Sequence, residues 1–226
     1  MRFDIITIFP DIFDSYFSES IIKRAQRKRL IRIKIHNLRD YTRDKHKTVD
    51  DTPYGGGAGM IMKVGPINNC VNAIQEARSK KQEARKTKII LFSAKGKRYT
   101  QKDAARLSKY KNLVLICGRY EGVDERVAKF IADEEVSIGD YVLTGGEIPA
   151  MILTDSITRL LPGVLGNSDS PINESHCKTG YLEHPQYTKP EKYQSWKVPE
   201  ILLGGHHKKI EEWRKKKAKI KKRINV

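Results

Sequence analysis

The sequence has no apolar stretch long enough to cross a membrane as a helix. Such a helix needs about 18 or more consecutive apolar residues, whereas every apolar stretch in these 226 residues is shorter. The amino-terminal stretch contains Asp4 and lacks the small-residue cleavage site of a signal peptide. We therefore expect a cytoplasmic protein that has no membrane partner.

Cysteine is scarce, which argues against two further classes of protein. Cys70, Cys117 and Cys177 are odd in number, lie far apart and form no CxxC pair. Disulfide frameworks and structural zinc sites both need paired cysteines, so we expect neither and assign no metal ligands. The motifs GxxxxGK[ST] and GxGxxG after a first strand are also absent, so the sequence does not indicate ATP, GTP or NAD chemistry.

Positive charge, in contrast, is abundant. The chain has 44 Lys and Arg against 27 Asp and Glu, a net charge of +17. Residues 208–226 hold ten Lys and Arg and two Glu, so +8 of this total lies at the carboxyl terminus. Such a field attracts polyanions, and charge alone favours nucleic acid or an anionic membrane, with a merely solvated basic surface as the alternative.

The spacing of apolar residues predicts strands that alternate with helices. Alternating or short continuous apolar runs predict strands over 2–9, 30–35, 88–92, 113–117 and 135–138. Helical spacing predicts helices over 12–27, 100–109, 123–131 and 146–161. This order indicates an α/β fold with a mostly parallel sheet and helices on both faces.

A change of composition after Pro162 predicts a second, smaller domain. Gly, Ser, Asn and Pro dominate the next stretch, which has no apolar period. We expect a domain over 1–165, a linker over 166–182 and a basic helical domain over 183–226. The expected helix starts at His206 and has four large apolar residues on or near one face: Ile210, Trp213, Ile220 and Ile224.

Polar, glycine-rich segments follow three of the predicted parallel strands. They are FSAKGK (92–97), CGRYEGVDER (117–126) and SIGDYVLTGGE (137–147). Ligands of open α/β sheets bind outside the carboxyl ends of the strands, so these loops together predict a site for a nucleoside-like cofactor. A fourth segment, 49–60, holds four glycines that allow backbone to approach another surface closely.

These segments resemble those of bacterial tRNA (guanine-N1-)-methyltransferases. The matching motifs run in order from Met1 to Arg214: MRFDIITIFPDIF, PYGGGAGM, CGRYEGVDER, SIGDYVLTGGE, RLLPGVLG, HPQYTKP and GGHHKKIEEWR. The resemblance implies a SPOUT-class α/β enzyme with a trefoil knot that uses S-adenosylmethionine to methylate N1 of guanosine 37 in tRNA. It also implies a homodimer with the active site at the subunit interface, and magnesium is a further candidate cofactor.

The resemblance also implies which residues hold the cofactor, with Glu121 near its methionine part. Ala94 departs from the family pattern, which usually has proline there. For Glu121, the alternative to a place near the cofactor is an ion pair with Arg119 or Arg126. The implied cofactor residues are Phe92, Ser93, Ala94, Gly96, Gly118, Tyr120, Glu121, Gly122, Ser137, Ile138, Gly139, Tyr141, Leu143, Gly145 and Gly146.

For catalysis the resemblance implies Glu174 as the base and Arg159 as its electrostatic partner. The family has Asp before Ser where this chain has Glu174, so Asp169 and His176 stay open as alternative bases. Arg159 is otherwise a cation that favours a helix carboxyl end. The implied substrate-binding residues are His46, Asp50, Gly55, Gly56, Gly57, Gly59 and His206, the last as a phosphate contact or helix cap.

Two other functions remain open from the sequence. A ribose 2′-O-methyltransferase of the same superfamily would need no guanine pocket. A catalytically silent RNA-binding factor would explain why Glu174, Ala94 and His176 depart from the family pattern.

Overall fold

The computed structural model describes residues 1–77, 87–166 and 174–220. Its contacts divide the chain into two compact units, 1–166 and 167–226. Residues 174–182, which we expected in a linker, therefore belong to the second unit.

A five-stranded parallel sheet is the centre of the first unit. From one edge to the other, the strands are β2 (Arg32–Asn37), β1 (Arg2–Thr7), β6 (Asn112–Ile116), β5 (Thr87–Arg98) and β7 (Glu134–Ser137). Ile5 of β1 lies opposite Ile35 of β2 on one side and Leu115 of β6 on the other. A separate antiparallel hairpin is formed by β3 (Asp50–Asp51) and β4 (Ile61–Met62).

Helices cover both faces of this sheet. They are α1 (Asp14–Phe17), α2 (Ser20–Arg27), α3 (Val64–Glu76), α4 (Gln101–Leu107), α5 (Glu125–Phe130) and α6 (Glu147–Thr158). Because successive strand side chains point to opposite faces, Leu113 and Leu115 pack with α4 and α6, whereas Val114 and Ile116 pack with α3. The predicted α/β class with a parallel sheet is confirmed.

Two predicted elements differ from the structure. The helix predicted over 12–27 is wrong as a continuous element, because a 3₁₀ turn (Pro10–Phe13), α1 and α2 replace it. Ser20 at the start of α2 has a φ of +46°, a left-handed conformation that interrupts the path of the chain. The strand predicted over 88–92 is also longer than expected, since β5 continues to Arg98.

The second unit is built from short elements. They are β8 (Tyr181–Leu182), β9 (Lys192–Tyr193), β10 (Trp196–Lys197), a 3₁₀ turn (Glu200–Leu202), α7 (His207–Lys217) and β11 (Lys219–Ile220). The helix predicted from His206 onward thus ends at Lys217. Ile220 is exposed on β11, which pairs with β8, and Ile224 lies outside the described residues.

Trp213 of α7 contacts the rings of His184 and Tyr187, each with centroids 6.4 Å away.

Across the described ranges of both units, no helix combines the length and apolar character that a membrane span requires.

Candidate active site

A cavity of about 440 Å³ is lined by the irregular part of β5 and by the segments that follow β6 and β7. These strands are neighbours in the sheet, so the three segments converge. The structure brings together every implied cofactor residue except Gly96: Phe92, Ser93, Ala94, Gly118, Tyr120, Glu121, Gly122, Ser137, Ile138, Gly139, Tyr141, Leu143, Gly145 and Gly146. Sequence reasoning missed other lining residues, among them Lys95, Arg119, Glu125, Val142, Thr144 and Pro149.

Gly96 lies within β5, close to the backbone of β7, and does not line the cavity. Phe92 and Lys97 both pair with Val136, so residues 93–96 leave the ladder as an irregularity within β5. A Cβ atom on Gly96 would lie 2.5 Å from the Val136 backbone nitrogen. Glycine at this position therefore permits close approach of two strands next to the cavity.

The loops after β6 and β7 also approach each other closely. Gly146 N donates to Gly118 O at 2.9 Å, and a Cβ atom on Gly146 would lie 2.6 Å from Cys117 Cα. The loop after β7 is itself folded by Ser137, whose hydroxyl donates to Gly139 O at 2.9 Å. These contacts make the two loops one continuous wall.

A buried carboxylate ties this wall to the sheet. Glu147, the first residue of α6, is 1% exposed and accepts from Arg119 Nε at 2.9 Å and from Thr7 Oγ1 at 2.8 Å. The guanidinium of Arg119 lies 4.6 Å from the centre of the Phe9 ring. Gly145 leaves room for this arrangement, because a Cβ atom there would lie 2.6 Å from Glu147 Oε2. Glu147 therefore fixes the position of Arg119 in the cavity lining.

Tyr120 and Glu121 form the most exposed part of the loop after β6. Tyr120 is a non-glycine residue with a φ of +60° and a side chain that is 45% exposed. Such backbone strain persists only where surrounding structure holds it, and it is frequent at functional sites. Among the described residues, Arg119 pairs with Glu147 and Arg126 with Asp124, so the alternative ion pair of Glu121 with either arginine is not observed.

The glycine-rich segment 49–60 borders the same cavity. Glu121 N donates to Met60 O at 3.1 Å, and Met62 N donates to Gly122 O at 3.0 Å. Gly59 has a φ of +79°, and a Cβ atom on it would lie 2.7 Å from Glu121 Oε1. The segment implied to hold the target base thus contacts the loop implied to hold the cofactor.

The other residues implied to bind substrate lie along or near this segment, except His206. His46 is exposed, and Asp50 is half-buried on β3, next to Asp51, whose carboxylate pairs with Lys63 at 3.1 Å. Gly55, Gly56 and Gly57 all have positive φ values. His206 is the N-cap of α7, but its side chain makes no capping hydrogen bond in the described structure.

The implied base Glu174 belongs to the second unit, and its implied partner Arg159 does not line the cavity. Arg159 directly follows α6, about 15 Å along the helix axis from Pro149 at 1.5 Å per residue. Glu174 is half-buried in the second unit, where Cys177 N donates to its carbonyl at 3.1 Å. His176 is exposed with a φ of +69°, and Asp169 lies outside the described residues.

The cavity offers neither a reactive thiol nor an evident metal site. Burial raises the pKa of Cys117 well above its usual value and that of Cys70 to about 12, so both thiols stay protonated. Within residues 1–77, 87–166 and 174–220, no group of three or more His, Cys, Asp or Glu is placed to hold a metal ion.

Sequence comparisons with known proteins all match one family. A family model described as tRNA (Guanine-1)-methyltransferase TrmD matches residues 1–225. The tRNA (guanine-N(1)-)-methyltransferase of Dictyoglomus turgidum is 54% identical over 218 residues, which cover 96% of this chain and 85% of that protein. The corresponding protein of Dehalococcoides mccartyi is 48% identical over 218 residues, covering 96% and 86%.

A solved structure agrees with these sequence matches. The crystal structure of tRNA (m1G37) methyltransferase from Aquifex aeolicus matches with a TM-score of 0.77 and 39% identity, covering 94% of this chain and 87% of that one. The chain therefore belongs to the tRNA (guanine-1)-methyltransferase family.

Proposed function

We propose that this protein transfers a methyl group from S-adenosylmethionine to N1 of guanosine 37 in tRNA. Family membership supports the reaction, and the name of the Aquifex aeolicus enzyme supports position 37. The observation that carries the proposal is the cavity that three glycine-rich segments form at the carboxyl edge of the sheet. The net charge of +17 favours tRNA as partner, and a tRNA substrate supports the expected cytoplasmic location.

The residues of the cavity fit S-adenosylmethionine. Its volume of about 440 Å³ lies in the range of small-molecule sites, roughly 300–1,000 Å³. Both lining cations are paired with carboxylates, Lys95 with Glu125 at 2.7 Å and Arg119 with Glu147. Glu121 and Glu135 therefore leave the lining net negative, which favours a positively charged sulfonium group. When bound, S-adenosylmethionine supplies the activated methyl group; magnesium stays a prediction.

Glu174 and Arg159 supply the chemistry at the guanine ring. Guanine N1 carries a proton at neutral pH, and it becomes a good nucleophile only when a base removes that proton. The Glu174 carboxylate accepts it as the bond from N1 to the methyl carbon forms, a general-base role worth roughly 10²–10⁴-fold in rate. Arg159 stabilises the negative charge that develops on O6, as a donor in an oxyanion hole does.

A second copy of the chain completes this site. Arg159 follows the carboxyl end of α6, about 15 Å along the helix axis from Pro149 of the cavity lining, which favours its use by a neighbouring copy. Ile148 and Ile152, one helical turn apart on α6, are 50% and 41% exposed, and Phe9 is 47% exposed. This apolar surface next to the cavity favours a symmetric dimer in which each copy supplies Arg159 to the other's cofactor loops.

Methyl transfer to tRNA transcripts tests the proposed function. Incubation with S-adenosylmethionine and a transcript that has guanosine 37 should yield 1-methylguanosine, identified by mass spectrometry of digested nucleosides. A matched transcript with adenosine 37 should yield none. A 2′-O-methylated nucleoside would indicate the ribose methyltransferase, and no product with intact tRNA binding would indicate an RNA-binding factor.

Co-expression of two variants tests the shared site. Glu121→Ala disables the cofactor loops of one copy, and Arg159→Ala disables the other element. Each variant alone should be nearly inactive, whereas random mixing should restore about a quarter of wild-type activity, because half of the dimers then hold one intact site. Activity no higher than that of the separate variants would contradict the shared site.

A further inference from the structure

An exposed hairpin in the second unit combines aromatic and basic side chains. We call residues 192–197, which form β9, the turn and β10, the aromatic hairpin. Trp196 lies opposite Tyr193 across the hairpin, with ring centroids 5.8 Å apart. The two residues are 68% and 59% exposed, and all residues from 185 to 197 are exposed.

The aromatic hairpin carries features that cost stability. Lys192 lies directly opposite Lys197, and like charges in that position destabilise a strand pair. Neither lysine pairs with a carboxylate among residues 174–220 or elsewhere in the described ranges. A two-stranded hairpin is only marginally stable in water, and this one buries no apolar face. The arrangement suits a ligand that is both anionic and able to cover aromatic rings.

Single-stranded RNA has both properties. Unpaired bases stack on aromatic side chains, and the phosphates beside them attract lysine. The surroundings agree with a polyanion, because residues 174–220 contain eleven Lys and Arg against six Asp and Glu. Side chains alternate along a strand, so the rings share one face and the lysines the other. The hairpin is narrow enough for long lysine side chains to reach phosphates at its edges.

We propose that the aromatic hairpin is an RNA-stacking element, in which Tyr193 and Trp196 stack on unpaired bases of the tRNA while Lys192 and Lys197 contact neighbouring phosphates. The inference rests on the proposed tRNA substrate and adds a recognition surface for it. It also explains why two large rings stand in solvent on a hairpin that cannot bury them.

Paired substitutions of Trp196 test the stacking. Trp196→Ala should weaken binding of an unmodified tRNA transcript, measured without cofactor, by about 5- to 150-fold for one lost stacked base. Trp196→Phe keeps an aromatic face and should restore most of the affinity. Phe130→Ala removes another exposed aromatic ring, on α5, and should leave the affinity unchanged. Tryptophan fluorescence should fall on tRNA addition in the wild type, and the fall should shrink in Trp196→Phe.

Salt dependence separates the lysines from the rings. The double variant Lys192→Gln, Lys197→Gln should reduce the slope of log K against log salt by about 1.4, since each single-strand phosphate contact contributes about 0.7. Trp196→Ala should weaken binding at all salt concentrations with little change of slope.

Three outcomes would overturn the inference. They are wild-type affinity in Trp196→Ala, a loss that Trp196→Phe does not restore, and a change from dimer to monomer that would mark the hairpin as a contact between copies. If the wild type makes 1-methylguanosine and the Trp196→Ala variant binds tRNA with wild-type affinity, the stacking inference is refuted and the proposed function stands. If the wild type makes no methylated product but the Trp196→Ala variant binds tRNA more weakly, the proposed function is refuted and the stacking element stands.

Discussion

Replacement of Glu147 by Gln probes how the buried carboxylate organises the cavity proposed to bind S-adenosylmethionine. The amide can accept from Arg119 Nε and donate to the Thr7 hydroxyl, so both hydrogen bonds of Glu147 can persist. What disappears is the negative charge beside a guanidinium that lies in the cavity lining. The variant therefore isolates the electrostatic contribution of Glu147 from its packing.

The structure sets the size of the effect. Removal of one partner from a buried ion pair costs about 3–5 kcal/mol. Glu147 is 1% exposed but Arg119 is 18% exposed, so partial hydration places the loss of unfolding free energy at about 2–3 kcal/mol. For a chain of this size, the Tm should fall by about 4–12 °C. If half of the loss, about 1–1.5 kcal/mol, appears as displacement of the two cavity loops, the Kd for S-adenosylmethionine should rise about 5- to 13-fold.

Calorimetric titration with S-adenosylmethionine and thermal unfolding measure both quantities. Glu134→Gln is the matched control, because Glu134 accepts two hydrogen bonds from Arg106, at 2.7 and 2.6 Å, and does not line the cavity. That control should lower the Tm and leave the cofactor Kd unchanged. An equal rise of Kd in both variants would refute the reasoning, since general destabilisation would then explain it. A lowered Tm with unchanged Kd in Glu147→Gln would also refute it.

Three further perturbations test other parts of the site. Glu174→Gln should reduce single-turnover methyl transfer by about 10²–10⁴-fold and spare cofactor binding, whereas His176→Gln should remain active; the reverse pattern would reassign the base. Gly59 and Gly56 both have a φ of +79°, but of the two only Gly59 has atoms within 4 Å of an added Cβ. The value of kcat/KM should therefore fall several-fold more in Gly59→Ala than in Gly56→Ala, and equal losses would indicate that backbone strain alone is responsible. Iodoacetamide at about pH 8 should label Cys177 ahead of the two buried cysteines, whose thiol pKa values burial raises. Peptide mass spectrometry measures the order of labelling, and earlier labelling of a buried cysteine would contradict this prediction.

The parallel sheet could be predicted because its strands are buried on both faces. The run 113–117 is apolar throughout, and the structure buries all five residues. The broken helix at Ser20 could not be predicted in the same way. Apolar residues keep helical spacing across the break, because spacing records which side chains face the core and not whether the backbone continues.

Segment 92–97 shows a second limit of local pattern. Its glycine and polar residues are typical of a loop, and residues 93–96 do leave the ladder. Pairing with β7 nevertheless resumes at Lys97, because Gly96 has no Cβ to separate the strands. A glycine can end a strand, or it can let the strand run close to an adjacent strand. Which of the two occurs depends on the adjacent strand, here β7, whose residues lie outside segment 92–97.

The loops that line the cavity could be located from the sequence because each follows a predicted strand, yet the charge that joins them could not. Glu147 resembles an ordinary acidic residue in the first turn of a helix, where the helix dipole favours it in solvent. Its partners are Arg119, 28 residues earlier, and Thr7, 140 residues earlier. They meet because β1 and β6 are adjacent strands whose carboxyl ends lie side by side, as the bond from Cys117 N to Ile6 O shows. A buried carboxylate at that edge can hold the cavity wall only once three separate segments have reached it, so its role depends on topology and cannot be inferred from local sequence.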